Sequence, residues 1–372
     1  MDQYVVKTYT GLEKILAQEL KNIHAHNINI EKRAVSFTGT PKIMYRANFE
    51  CRTALKVLKT ISDFTISEAK DLYKKAMDIA WEDYIPDEHT FSIENDIISD
   101  HFDNTMYGAL LVKDAIVDRI RDKRGNRPNV NRKNADIQFT VFIRNEEVTL
   151  FLNTSGPSLH KRSYKKYGGI APLSEVLAAG LILLSGWDPT TPFLNPMCGS
   201  GTFLVEAQRI AQNIPPQIHR KFFCFKKSPD FDEDRWELIL KGSKMRIDRR
   251  PPTIIGFDNS REAVNGTKAN TMKAGSFKSC QIYNFDFFKY KPTVDSGTVL
   301  LNPPYNKRLP LKDNLRFYKR INSTLKQFYK GFNVWLICPH EISLRQAGFK
   351  TEKEMTVYNG PIRCRFAKID CG

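Results

Sequence analysis

The chain has 372 residues, 41% of them apolar and 26% charged, a balance that excludes a disordered protein and leaves room for two or three domains with cores of their own. Fifty-seven Lys and Arg against 41 Asp and Glu leave a net charge of +16, which points to a polyanionic partner, nucleic acid first. The seven cysteines form no CxxC pair and no Cys/His grouping with zinc-ligand spacing, so neither a disulfide framework nor a metal site is signalled, and reduced, buried thiols are expected.

In chain order, "QYVVKTYTG" predicts a strand, "LEKILAQELKNI" an amphipathic helix, "INIEKRAVSFTG" a strand pair, and "PKIMYRANFECRTALKVLKT" a helix followed by a strand. The alternation repeats with the helix "SEAKDLYKKAMDI", the strand "TFSIENDII", the helix "MYGALLVKDAIVDRIRDKRG" and two β-rich runs joined at Asn145-Glu146 as a tight hairpin. The stretch "TSGPSLHKRSYKKYGG" (154–169) lacks an apolar period and is placed at a domain boundary. Beyond it, "FLNP", "TIIGFD", "CQIYNFDFF", "TVLLNPP" and "NVWLICP" alternate with helical segments, which predicts a doubly wound, mainly parallel sheet. The longest apolar run, "VLAAGLILL" (176–184), is too short to span a bilayer, and the start of the chain has no charged-then-apolar leader. A cytoplasmic location is expected.

The chemistry gathers at strand ends. "PFLNPMCGSGTFLVEA" runs an apolar strand into Gly199-Ser200-Gly201 and then a helix, a place where a ligand can lie against bare backbone and exposed N–H groups. Asp258 follows the next strand and Asp286 the one after, both at the carboxyl edge where open α/β sheets bind ligands. An acid at the second position suits a ribose diol, and one at the third suits an adenine edge. A dinucleotide site requires a third glycine where this chain has Leu204, and its acid about 20 residues on, so the pattern favours adenosine without a pyrophosphate. Asn302-Pro303-Pro304-Tyr305 closes the fourth strand, where two prolines hold a stiff turn out of the sheet.

"NPMCGSGTFLVEA" followed by "NPPY" resembles the S-adenosylmethionine-dependent N-methyltransferases of exocyclic amines. With "HKRSYKKYGGIAPLSEVLAAGLILLSGW" and "YNGPIRCRF", essentially the whole chain resembles the bacterial THUMP-containing RNA guanine-N2 methyltransferases, the RlmL/YpsC-like group that modifies large-subunit ribosomal RNA. The resemblance implies a ferredoxin-like unit (1–50), a THUMP RNA-binding domain (51–155) and a Rossmann-like class I methyltransferase domain (156–372). It implies S-adenosylmethionine as cofactor, held by Asn195, Pro196, Met197, Gly199, Gly201, Thr202, Asp258, Asp286 and Asn302. The family usually has Asp where this chain has Asn195, a change that keeps an acceptor but removes a charge. Asn302 and the Pro303 carbonyl would hold the amine hydrogens and aim its lone pair at the methyl group, with Pro304 stiffening the turn and Tyr305 stacking on the flipped base. Longer members carry a second methyltransferase domain; with the chain ending at Gly372, one modification is expected.

Two basic stretches are candidates for RNA contact. "RIRDKRGNRPNVNRK" (119–133) supplies Arg124, Arg127 and Arg132, and "HKRSYKKY" (160–167) supplies Lys161, Arg162, Tyr164 and Lys165, a mixture suited to phosphate contact and base stacking. "KGSKMRIDRR" (241–250) reads as a solvated face, and Cys198 as a small buried side chain rather than a nucleophile. The alternatives are tRNA in place of ribosomal RNA, or an RNA-binding protein with a decayed methyltransferase domain. Intact Asp258, Asp286 and NPPY argue against the second.

Overall fold

The computed structural model describes residues 1–168, 173–304 and 311–372, with backbone alone at 311–313. The N-terminal half is one eight-stranded sheet formed by β1 (Asp2–Lys7), β2 (His26–Glu31), β3 (Ala34–Gly39), β4 (Lys56–Thr65), β5 (Thr90–Ile98), β6 (Asn129–Val130), β7 (Ile137–Arg144) and β8 (Glu147–Asn153), in the order β2-β3-β1-β4-β8-β7-β5-β6. The two α+β units expected from the sequence therefore share a sheet. β4 joins them: Lys56–Lys59 pair with β1, and Leu58–Thr65 pair with β8. Four helices, α1 (Glu13–Asn22), α2 (Pro41–Glu50), α3 (Ala69–Met77) and α4 (Thr105–Arg124), accompany the sheet.

Local sequence explains the elements. β7 reads IQFTVFIR and buries Ile137, Phe139, Val141 and Ile143 alternately, the period-2 pattern of a strand with one face on the core. Its hairpin partner β8 follows a turn in which Asn145 takes φ +54°, a left-handed position that Asn tolerates well. α4 begins at Asn104, whose side chain accepts from Met106 N, and stops at Gly125 with φ +73°.

The C-terminal half holds α5 (Glu175–Leu184), β9 (Phe193–Pro196), α6 (Thr202–Ala211), α7 (Glu233–Met245), β10 (Ile254–Asp258), α8 (Arg261–Ala274), β11 (Cys280–Asn284), β12 (Thr298–Leu301), α9 (Leu311–Phe328), β13 (Asn333–Pro339), β14 (Lys350–Asn359) and β15 (Ile362–Asp370). Its sheet runs β11-β10-β9-β12-β13-β15-β14, the first five strands parallel and the last two an antiparallel hairpin. Strand order reverses between β9 and β12, which makes their carboxyl ends the place for a ligand. The apolar run 176–184 is α5, buried on every side from Glu175 to Ile182. Among the described residues no helix is long and apolar enough to cross a membrane.

The segment between α6 and β10 ties the halves together. Phe223, Phe225 and Trp236 pack with Tyr45 and Phe49 of α2, ring centroids of Tyr45 and Phe225 lying 4.7 Å apart. Arg246, in the stretch read as a solvated face, sends Nη2 to Glu50 Oε1 at 2.5 Å, so that face is part of the junction.

Candidate active site at the switch point

β9 is buried along its length and ends in a turn whose backbone leaves the ordinary regions: Met197 at φ +54°, Gly199 at +55° and Gly201 at +74°. A Cβ on Gly201 would meet Thr267 Cγ2 at 2.6 Å, because α8 presses against the turn; a Cβ on Gly199 would meet nothing within 4 Å among the described residues. Gly199 thus borders open space.

Three side chains fix the turn. Asp258 Oδ2 accepts from Gly199 N at 3.0 Å while Oδ1 accepts from Ser260 N at 2.9 Å, so the carboxylate bridges the ends of β9 and β10. Thr267 Oγ1 donates to Gly199 O at 2.7 Å, and Asn270 Nδ2 donates to Ser200 O at 2.9 Å. Sequence reading missed Thr267 and Asn270. The signal was a polar stripe, Thr267, Asn270 and Thr271, on one face of a helix whose other buried residues are apolar.

Asn195 lies 1% exposed in mid-sheet. Its Nδ2 donates to Leu300 O on β12 at 2.7 Å, and its Oδ1 has no partner among the described residues. Asn302, two residues beyond Leu300, likewise holds a buried Oδ1 without a partner among the described residues. An unpaired buried acceptor costs about 1–3 kcal/mol, so two of them beside one cavity are sites that a ligand's donors would satisfy. Asp286 Oδ1 accepts from Phe288 N at 3.0 Å.

A cavity of about 390 Å³ brings together Asn195, Met197, Gly199, Thr202, Asp258, Asp286, Asn302 and Pro304. Pro196, Gly201 and Pro303 sit behind its lining residues, Pro303 buried. Tyr305 lies outside the described residues. Tyr167, Glu262, Phe288 and Phe317 also line the cavity, none of them anticipated. Cys198 is 8% exposed, and burial with the nearby Asp258 carboxylate pushes its thiol up to about 12, which suits a packing residue and not a thiolate nucleophile. The donor set fits an adenosine-bearing cofactor: acceptors for cationic or amine N–H groups at Asn195 and Asn302, and carboxylates at the second and third strand ends.

The linker corrects part of the RNA-contact expectation. Arg162 is 1% exposed, with Nη1 paired to Glu206 Oε2 and Nη2 donating to Arg52 O. Tyr164, also 1% exposed, donates from its hydroxyl to Glu206 Oε1 at 2.9 Å beneath the Arg209 guanidinium. Both are interior residues, turned away from the surface that RNA would meet. Lys165 is turned inward too, donating to Leu173 O at 2.7 Å and pairing with Glu175 at 3.5 Å. Lys161 remains exposed. In the other stretch Arg124 is a brace, donating to Ile85 O at 2.8 Å and pairing with Asp87 at 3.0 Å, whereas Arg127 and Arg132 are exposed and form no ion pair among the described residues.

Residues 162–368 match the family model described as an RMKL-like methyltransferase domain, 67–153 match the THUMP domain, and 3–58 match the RlmL ferredoxin-like domain. A Synechocystis protein provisionally named an RNA methyltransferase is 32% identical over 369 residues, covering 99% of this chain and 96% of that one. The ribosomal RNA large subunit methyltransferase K/L of Psychromonas ingrahamii is 33% identical over 371 residues, 98% of this chain but 49% of that protein, so the chain spans about half the length of such relatives. The solved structure of SMU.472, provisionally described as a methyltransferase and complexed with SAH, superposes with a TM-score of 0.90 at 24% identity over 99% of this chain and 98% of that one, a likeness of fold.

Proposed function

This chain belongs to the RMKL-like methyltransferase family, and on that premise we propose that it methylates the exocyclic N2 amine of a guanine in RNA, most fittingly large-subunit ribosomal RNA, in the cytoplasm. The observation that carries the reading is the pair of buried acceptors without a partner among the described residues, Asn195 Oδ1 and Asn302 Oδ1, on either side of the switch point in one cavity with Asp258 and Asp286.

S-adenosylmethionine, when bound, supplies a methyl group activated by a sulfonium. The Gly199 turn and Asn195 Oδ1 would receive the methionine end, Asp258 the ribose hydroxyls and Asp286 the adenine amine. An exocyclic guanine amine is a weak nucleophile because its lone pair is shared with the ring. Asn302 Oδ1 accepts one of its hydrogens, and the Pro303 carbonyl is the stiffly held acceptor for the other. That pairing frees the lone pair and favours the positive charge that develops on nitrogen. A methylated amine sheds its proton readily, so Asn302 need only hold hydrogens. The base reaches the cavity by leaving its stack, which the half-exposed Pro304 and the neighbouring Phe317 would border.

The test is methyl transfer from labelled cofactor to unmodified large-subunit rRNA, small-subunit rRNA, tRNA and duplex DNA, with digestion to nucleosides and mass spectrometry. N2-methylguanosine in the large rRNA alone is expected. The same nucleoside in tRNA alone would replace the substrate, and N6-methyladenine in DNA would overturn both chemistry and substrate.

A further inference from the structure

We propose that the groove between the linker and residues 218–222 is a second RNA contact, a track along which the phosphodiester backbone runs toward the cavity. This rests on the RNA methyltransferase reading above. The groove has a volume of about 790 Å³ and is lined by Lys161, His219, Arg220, Lys221, Phe222 and Lys273 among others, with no carboxylate among the described residues that line it. Lys161, Lys221 and Lys273 are exposed and form no ion pair among the described residues. Lysines elsewhere on this surface commonly face acids, as Lys59 does Asp2 and Asp230, and Lys368 does Glu352. Three unpaired ammonium groups around one groove repel one another, and a polyanion is the partner that relieves the repulsion.

The wall between them is built, not loose. Arg220 is spent on structure: Nε donates to Phe222 O at 2.8 Å and Nη2 to Ser155 O at 3.1 Å, locking the 218–222 segment onto the linker. Phe222 is 37% exposed, with its ring set against Gly156, where a Cβ would come within 2.9 Å of Phe222 Cε1. A fixed, half-exposed ring beside lysines is the combination that stacks a base while the phosphates are held.

The direction of the track follows from the linker. Arg162 and Tyr164 point into the protein, which leaves Lys161 and Ser163 in the groove, and Tyr167 reaches the cavity wall. α8 covers the same distance: Lys273 stands at its last turn and Glu262, a cavity residue, at its first. Eleven residues at 1.5 Å each place them about 16 Å apart.

The experiment is binding of a labelled large-subunit rRNA fragment by the full chain carrying Lys161→Glu, Lys221→Glu and Lys273→Glu together, over a range of salt. A control of equal charge change reverses the exposed Lys326, Lys330 and Lys353. The groove variant should bind at least about tenfold more weakly, with a log–log salt slope shallower by about 2 to 3, and SAH affinity by calorimetry should stay at the wild-type value. Unchanged RNA affinity, or an equal loss in the control, overturns the groove. Wild-type protein that binds SAH but no RNA at low salt overturns the RNA reading itself and the groove with it.

Discussion

The Asn195 side-chain amide donates to the Leu300 carbonyl at 2.7 Å, joining β9 to β12 at the point where strand order reverses. Aspartate, usual here in the family that the sequence resembles, could not make this bond, since an ionised carboxylate has no hydrogen to give. Asn195→Asp should therefore destabilise the unliganded protein by about 1–3 kcal/mol, the cost of setting two buried acceptors against each other. A carboxylate in place of Asn195 Oδ1 should also attract the cofactor's ammonium more strongly. Thermal melts with and without SAH check both: a lower apo Tm and a larger SAH-induced rise are expected, and a rise no larger than the wild type's would refute the placement of the ammonium.

Asn302→Ala removes the acceptor proposed to hold the reacting amine, an oxygen with no hydrogen-bond partner among the described residues. Turnover should fall by about 10²–10³, the range for removing one preoriented hydrogen-bonding group, while SAH affinity stays within about threefold. Single-turnover transfer and calorimetry on the same preparation separate the two. A wild-type rate would reject the proposed role.

The two basic stretches should behave as different kinds of residue. Arg127→Ala with Arg132→Ala should weaken RNA binding and lower the salt slope by about 1.5 to 2, with Tm unchanged, because both side chains stand free in solvent. Arg124→Ala removes a helix-end brace to the Ile85 and Glu82 carbonyls and should lower Tm, with little change in the salt slope. Melts and binding isotherms on both variants decide.

The contrast shows where sequence reading works and where it stops. The strand-end residues Asp258, Asp286 and Asn302 were readable because a short apolar run announces a strand, and a parallel sheet places every following residue on one edge. The hairpin at Asn145 was readable from local turn chemistry. The inward turn of Arg162 and Tyr164 was not, because composition does not say which side of an extended linker faces the core. Their partner Glu206 lies some forty residues on, inside a helix that reads as apolar. The shared eight-stranded sheet was hidden for a related reason, since both halves of β4 look alike in sequence and only pairing distinguishes them.

The Arg162–Glu206 pair has both side chains fully buried, with the Arg52 and Arg209 guanidiniums also drawn to Glu206, so removing one partner unbalances a buried charge cluster. Arg162→Met should cost about 3–5 kcal/mol, and Arg162→Met with Glu206→Gln appreciably less than the sum of the two single changes. A double-mutant cycle in urea measures the coupling. Additive losses would mean that the pair acts independently, and a large loss of RNA affinity with stability intact would restore Arg162 as a contact.

Asn270 uses its whole amide. Oδ1 accepts from Lys166 N at 2.7 Å and Tyr167 N at 3.0 Å, while Nδ2 donates to Tyr167 O at 2.8 Å and Ser200 O at 2.9 Å. One side chain thus holds the linker and the glycine turn in a common frame, though it lies roughly a hundred residues from the linker in sequence. Asn270→Asp keeps both acceptances and loses both donations, whereas Asn270→Ala loses all four bonds. Stability should fall in that order, by about 1–3 kcal/mol at the larger step. SAH affinity should fall with it, by roughly tenfold for Asn270→Ala, since Ser200 O would no longer be anchored and the turn would have to be ordered at the expense of binding. Melts report the first effect and calorimetry the second. An alanine variant that loses stability but binds SAH as tightly as the wild type would confine Asn270 to holding the linker, and would leave Asp258 and Thr267 to keep the turn in place.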